Sequence, residues 1–97
     1  MSSITIVVIE SAPGTDRARS GIGLAAEQAA DIALVGAAAA PMAKKGALKG
    51  FCGTAIVGRD SIEAAGIAEQ ELEKGVRILS GSELAQLIDS STVLGRF

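Results

Sequence analysis

Residues 4–9 read ITIVVI, a run in which every side chain is β-branched. A run of this kind that does not alternate with polar residues is typical of a strand covered on both faces. Further strand-like runs follow at residues 31–35, 54–57, 76–79 and 92–94, and helix-prone segments separate them. Strands alternating with helices at this spacing predict right-handed βαβ units. We therefore predict an α/β fold in three layers, Rossmann- or flavodoxin-like, with a mainly parallel sheet of four or five strands.

The composition limits the chemistry of this chain. It has 97 residues, which we predict to form one domain (1–97), with a net charge of −2, one Cys, no His and two Phe as its only aromatic residues. The lack of His excludes Ser-His-Asp and Cys-His catalysis and most zinc sites, and a single Cys excludes an internal disulfide. We accordingly predict no metal and no cofactor.

The same composition bears on partners and location. A slightly acidic chain without stacking aromatic residues is a poor binder of nucleic acid. The sequence contains no apolar run of 18 residues and no basic stretch ahead of its first apolar run, so we expect neither a membrane span nor a signal peptide. We expect a cytoplasmic domain. Its mean hydropathy of +0.41 is high for a monomer and favours burial of surface against other chains.

Several helix starts can be located from side-chain pattern. Thr15 or Asp16 can cap the first helix, and both Asp60-x-x-Glu63 and Ser80-x-x-Glu83 have the spacing of a capping box. The acidic residues at 69, 71 and 73 have no His or aromatic neighbour, so we interpret them as a solvated face.

Parallel sheets bind ligands at the carboxyl ends of their strands. Here those ends lead into loops of small residues, through which backbone amides can approach a ligand, although loops of this composition are common in α/β proteins whatever their function. The candidate ligand- or partner-binding residues are Ser11, Gly14, Thr15, Gly58, Arg59, Asp60 and Ser61.

The stretch at residues 21–26, GIGLAA, matches the GxGxxA pattern of dinucleotide-binding proteins. That pattern requires its first glycine in the turn directly after the first strand. Gly21 instead lies about a dozen residues beyond Ile9 and inside the predicted helix, so we expect its glycines to allow close helix packing. The sequence also contains no GxxxxGK[ST] phosphate-binding loop.

Cys52 is the candidate catalytic residue, because it is the only side chain with strong intrinsic nucleophilicity. Lys49 and Arg59 are near it in sequence and could stabilise a thiolate. Against this, Cys52 precedes a predicted strand, which is the wrong end of a parallel sheet for a ligand site, and free Cys is often buried. The sequence leaves a reactive thiol and an inert core thiol both open.

The order of segments over the whole chain resembles the DsrE/DsrF family, the small sulfur-relay proteins that include the TusBCD subunits. The resemblance begins with the first strand and the stretch SAPGTDRARSG that follows it. It continues through AKKG at 43–46, DSIEAAGI at 60–67, GVRIL at 75–79, SELAQLI at 82–88 and TVL at 92–94.

This resemblance implies a homo-oligomer, as a trimer or hexamer, or a subunit of a hetero-oligomer. It also implies, for several members, a persulfide on a cysteine after the third or fourth strand. When residues 60–67 are aligned with the family, that cysteine position falls at or near Ser61, and serine cannot hold a persulfide. An alternative alignment on Cys52-Gly53-Thr54 keeps a cysteine but requires about six extra residues before Gly66.

Two functions therefore follow from the sequence. In the first, the chain carries sulfur in intracellular sulfur transfer, at most as a sulfurtransferase-type carrier, with Cys52 accepting a persulfide from a donor protein and passing it to an acceptor. In the second, it is a non-catalytic module on the same fold that binds a small ligand or a partner. We expect a thiol facing a pocket at the carboxyl edge of the sheet in the first case, and a thiol packed under a helix in the second.

Overall fold

The computed structural model describes residues 4–97, and its centre is a sheet of five parallel strands. These are β1 (Thr5–Ile9), β2 (Asp31–Leu34), β3 (Ala55–Gly58), β4 (Arg77–Leu79) and β5 (Thr92–Arg96). Their order across the sheet is β4-β3-β2-β1-β5, and each neighbouring pair is parallel. The predicted α/β class and parallel sheet are thus confirmed, with five strands.

Three α-helices and two short 3₁₀ segments connect the strands. The helices are α1 (Asp16–Glu27), α2 (Arg59–Ala64) and α3 (Gly81–Ser90), and the 3₁₀ segments are Ala40–Ala43 and Glu69–Glu71. Pro41 near the start of the first 3₁₀ segment explains why residues 37–45, although helix-prone, form only one short turn of helix. None of the helices in residues 4–97 is both long and apolar enough to cross a membrane.

Alternating side chains of the sheet form two cores. Val7, Ile9 and Ile32 point to one face, which α1, α2 and the Ala40–Ala43 segment cover. Ile6 and Val8 point to the other face, where Leu84 of α3 packs on them and Leu87 borders the cluster. All five sheet residues are fully buried. Strand β1 is therefore covered on both sides, which is why its sequence does not alternate with polar residues.

Two of the three predicted helix starts are correct. The Thr15 hydroxyl oxygen accepts a hydrogen bond from the Ala18 amide at 3.2 Å, which caps α1. At α3 the Ser80 hydroxyl accepts from the Glu83 amide at 3.1 Å, and the Glu83 carboxylate accepts from the Ser80 amide at 2.9 Å. These contacts form the predicted capping box.

The predicted capping box at Asp60-x-x-Glu63 is wrong. Helix α2 begins at Arg59, its N-cap is Gly58, and no side chain caps it. Because Gly58 is also the last residue of β3, the strand leads directly into the helix and Asp60 lies inside the first turn. The polypeptide leaves no residue between the two elements that could serve as a side-chain cap.

Candidate functional site

The carboxyl edge of the sheet is the edge at which its five strands end, and it carries the seven candidate loop residues in two groups. Gly58, Arg59, Asp60 and Ser61 follow β3, whereas Ser11, Gly14 and Thr15 follow β1. The two strands lie two positions apart in the sheet, which separates their ends by roughly 10 Å. The fold thus brings both groups to one edge without merging them into one cluster.

Ser61 connects neighbouring loops at this edge. Its hydroxyl oxygen accepts a hydrogen bond from the Gly36 amide at 3.1 Å, which ties the start of α2 to the loop after β2. Gly36 has a φ of +89°, a left-handed conformation that glycine adopts without strain. The Ser61 hydroxyl therefore has a structural partner that fixes the position of the loop after β2.

Asp60 lies over the beginning of α3. A methyl carbon built on Gly81 would come within 3.2 Å of a carboxylate oxygen of Asp60, so the absence of a side chain at position 81 lets this carboxylate approach. Arg59 points elsewhere, with a guanidinium nitrogen 3.9 Å from a carboxylate oxygen of Glu69. Both side chains are exposed, and an ion pair of this length in solvent is weak. Asp60 and Arg59 are therefore free to meet a partner from outside the chain.

The residues after β1 stabilise the local backbone. The Ser11 hydroxyl donates to the Phe97 carbonyl oxygen at 2.8 Å, so it connects the end of β1 to the segment after β5. The Thr15 hydroxyl donates to the Ala12 carbonyl oxygen at 2.7 Å while it caps α1, and Gly14 has a φ of +82° in the same turn. The polar groups of Ser11 and Thr15 thus already have partners within the chain.

Cys52 lies at the opposite edge, which we call the amino edge because the strands begin there. It is exposed, and its sulfur is 4.0 Å from the Gly50 carbonyl oxygen. It borders an open hollow of about 370 Å³ beside the end of α1 and the start of β2. The inert core thiol is thereby excluded. The thiol neither faces the carboxyl edge nor packs under a helix, so neither arrangement expected from the sequence describes it.

The cap of α3 perturbs the pKa of the Glu83 carboxyl. The hydrogen bond from the Ser80 amide, followed by that from the Ser80 hydroxyl, lowers the pKa of the Glu83 carboxyl from 4.5, because both donors stabilise the ionised form. The origin of this shift is the helix cap, so it indicates a structural role for Glu83.

The described residues do not assemble a metal centre. Within residues 4–97, no group of three or more His, Cys, Asp or Glu side chains lies close enough to hold a metal ion. Gly21 and Gly23 lie in the interior of α1, away from the turn after β1, so they cannot form a dinucleotide-binding loop. Gly21 instead allows close packing, since a methyl carbon there would come within 3.0 Å of the Phe97 side chain.

A further cavity lies where the sequence predicted no site. Its volume is about 450 Å³, and it opens at the amino edge between the loop at residues 44–53 and the chain just before β4. Three lysines line it: Lys44, Lys49 and Lys74. Lys44 is 30 residues and Lys49 is 25 residues from Lys74 in the sequence, so only the folded chain brings all three together.

Comparison with known proteins supports the fold. No protein-family model matches this sequence, and no curated protein matches it. Among solved structures, the chain is similar to the crystal structure of the ychN protein from E. coli, with a TM-score of 0.76 over 100% of both chains and 19% sequence identity. At this identity the likeness concerns the fold alone. It covers every element described above.

Proposed function

We propose that this chain is a small oligomeric DsrE/DsrF-like protein of the cytoplasm that binds a partner or a small ligand and does not itself carry sulfur. The five-stranded parallel fold and its likeness to the ychN protein support the type of fold. The resemblance of the sequence to the DsrE/DsrF family of sulfur-relay proteins supports the DsrE/DsrF-like part of the proposal.

One observation carries the proposal. Ser61 lies at or near the position after β3 at which the resemblance places a sulfur-carrying cysteine, and its hydroxyl oxygen accepts a hydrogen bond from the Gly36 amide. A persulfide consists of a sulfur atom bonded to a cysteine sulfur, and a serine hydroxyl cannot form it. The loop is thus closed by a hydrogen bond at the point where a carrier would expose a thiol.

The location of Cys52 also supports the proposal. The strand β3 separates the chain before it from the loop after it, and its three steps alone span roughly 10 Å. A sulfur atom on Cys52 would therefore be held at the amino edge of the sheet, whereas Asp60 and Ser61 lie at the carboxyl edge.

The test is a transfer reaction followed by intact-mass spectrometry. After incubation with glutathione persulfide, we expect the native protein to keep its mass and Ser61→Cys, made in a Cys52→Ser background, to gain one sulfur atom. The background isolates position 61, because it removes the only other thiol. A one-sulfur gain in the native protein that disappears in Cys52→Ser would contradict the proposal.

A sulfur carrier is the second candidate, and the exposure of Cys52 favours it. In that reaction the Cys52 thiolate attacks the terminal sulfur of a donor protein's persulfide, a new S–S bond forms, and the donor leaves as a thiolate. An acceptor thiolate then removes the same sulfur atom and restores Cys52. The experiment above separates the two candidates, since only the carrier gains sulfur in the native protein.

Exposed apolar groups near the edge strand β5 support the oligomeric part of the proposal. Among residues 4–97, Ile4 and Leu94 are exposed large apolar side chains, at 37% and 38%. Leu94 lies on β5, and the far side of that strand pairs with no other strand of residues 4–97. Light scattering is expected to give a trimer or hexamer, alone or with a second subunit, and a monomer at micromolar concentration would contradict this part.

A further inference from the structure

The cavity at the amino edge, which we call the lysine cavity, is built by contacts between two distant segments. Lys44 and Leu72 form an isolated antiparallel bridge. The Lys45 amide donates to the Glu71 carbonyl at 3.0 Å, and the Glu73 amide donates to the Ala43 carbonyl at 2.9 Å. These backbone hydrogen bonds hold Lys74 on the same cavity wall as Lys44, and Lys49 completes the lining.

The charge of this cavity differs in sign from that of the chain. The protein has a net charge of −2 and four lysines, and three of the four line the cavity. Glu73 is the one acidic residue in the lining. The Glu73 carboxylate accepts a hydrogen bond from the Gly46 amide at 2.9 Å, so one of its oxygens is bound to the backbone.

The neighbouring carboxylates of Glu71 and Glu69 also interact with groups other than lysine. Glu71 accepts from the Ala68 amide at 2.7 Å, and Glu69 lies 3.9 Å from Arg59. Within residues 4–97 there are two ion pairs, and neither includes a lysine. The acidic segment interpreted from sequence as a solvated face is in part a set of backbone caps, and it leaves the lysine ammonium groups without carboxylate partners.

The lining also contains apolar side chains, among them the Phe51 ring, together with Thr54 and several glycines. A methyl carbon on Gly53 would come within 2.6 Å of the Phe51 ring, so the ring lies directly against the backbone at that position. Met42, Leu48 and Val76 line the same space. An aromatic ring beside aliphatic side chains is suited to contact with a planar apolar group.

We propose that the lysine cavity binds a small organic anion, with a carboxylate or phosphate monoester group on a flat apolar body. Its volume of about 450 Å³ is of the size that binds small ligands. The anionic group meets the ammonium groups of Lys44, Lys49 and Lys74, and the flat body lies on Phe51. The cavity lies at the amino edge of the sheet and Ser61 at the carboxyl edge, so this binding site does not depend on the proposed function.

Fluorescence titration with 1-naphthyl phosphate tests this proposal. The chain has no Trp or Tyr, so the protein contributes little background to the fluorescence of the naphthyl ring. We expect saturable binding of 1-naphthyl phosphate and at least tenfold weaker binding of neutral 1-naphthol, which has the same ring without the charge. Raising the salt concentration from 50 to 500 mM is expected to weaken the binding of 1-naphthyl phosphate and to leave the binding of 1-naphthol unchanged, because salt screens only the charged contact.

Charge variants locate the site. We expect Lys49→Gln and Lys74→Gln each to raise the Kd of 1-naphthyl phosphate by roughly threefold, and the double variant by roughly tenfold. Lys45→Gln is the matched control, since Lys45 is exposed in the same loop but does not line the cavity. Equal weakening by Lys45→Gln and Lys74→Gln, equal affinity for 1-naphthol and 1-naphthyl phosphate, or no saturable binding would each overturn the proposal.

Discussion

Replacing Gly53 with alanine is expected to destabilise the fold, and the structure gives the reason at atomic distances. The added methyl carbon would lie 2.6 Å from the Phe51 ring and 2.9 Å from the Ala30 carbonyl oxygen. Non-bonded carbon atoms prefer a separation of about 3.5–4.0 Å. The half-buried Phe51 ring can move, but the Ala30 carbonyl belongs to the backbone immediately before β2 and cannot move independently.

The size of the effect follows from this overlap. Overpacking of a well-packed site costs roughly 1–3 kcal/mol. For a domain of this length, each kcal/mol lowers the melting temperature by about 4–8 °C. We therefore expect Gly53→Ala to lower the free energy of unfolding by about 1–3 kcal/mol and to lower the Tm by at least about 4 °C.

The assay is urea unfolding followed by circular dichroism, with thermal melting as a second measurement. The urea concentration at the midpoint of unfolding is expected to fall. The m value, which is the slope of the unfolding free energy against urea concentration, should stay the same because the surface exposed on unfolding is unchanged. Adding Phe51→Leu to Gly53→Ala should recover only part of the loss, since the contact with the Ala30 oxygen remains. A Gly53→Ala protein as stable as the native one would refute the reasoning.

Further predictions concern the helices and the loop after β2. Gly23→Ala is expected to raise the free energy of unfolding by about 0.5–1 kcal/mol in the same urea assay, because position 23 lies inside α1 with nothing within 4 Å of the added carbon; a loss of stability would contradict this. Ser80→Ala should lower the free energy of unfolding by about 1 kcal/mol through loss of the α3 cap, whereas Ser82→Ala, two residues later and inside the helix, should lower it by less. The ionised Glu83 carboxylate stabilises the fold above its ordinary pKa of 4.5, and this contribution is lost as the pH falls through its lowered folded pKa. Glu83→Gln should therefore flatten the pH dependence of the Tm below pH 4.5. An unchanged pH dependence would refute this. Ser61→Ala should cost about 0.5–1.5 kcal/mol and speed amide exchange at Gly36 measured by NMR, while unchanged exchange would contradict the Ser61–Gly36 hydrogen bond.

Local sequence patterns were sufficient for most of the fold. The strand at residues 4–9 is recognisable because every residue is β-branched and both faces are buried. The Ser80–Glu83 capping box is equally local, since its two hydrogen bonds join residues three positions apart. The same spacing at Asp60 and Glu63 gave a wrong start for α2, because the position of the strand end at Gly58, which depends on pairing with β4, determines where that helix begins.

The candidate sites depend on contacts between distant residues and were less predictable. That Cys52 is exposed could not be derived from its neighbours, which are compatible with both burial and exposure. The lysine cavity was missed because Lys44 and Lys74 meet only through the bridge between Lys44 and Leu72. The expectation that ligands bind at the carboxyl edge of a parallel sheet also directed attention away from the amino edge.

The order of strands in the sheet has a consequence for how the chain folds. β1 is synthesised before the other four described strands, yet one of its two neighbours is β5, the last of the five. Until β5 arrives, a partly made sheet exposes one edge of the most apolar strand, and closing this pair requires a loop of more than eighty residues. Pairings of such long range slow folding, and open apolar edges favour association between incomplete chains. We therefore expect β5 to decide whether newly made chains reach the native state before they aggregate.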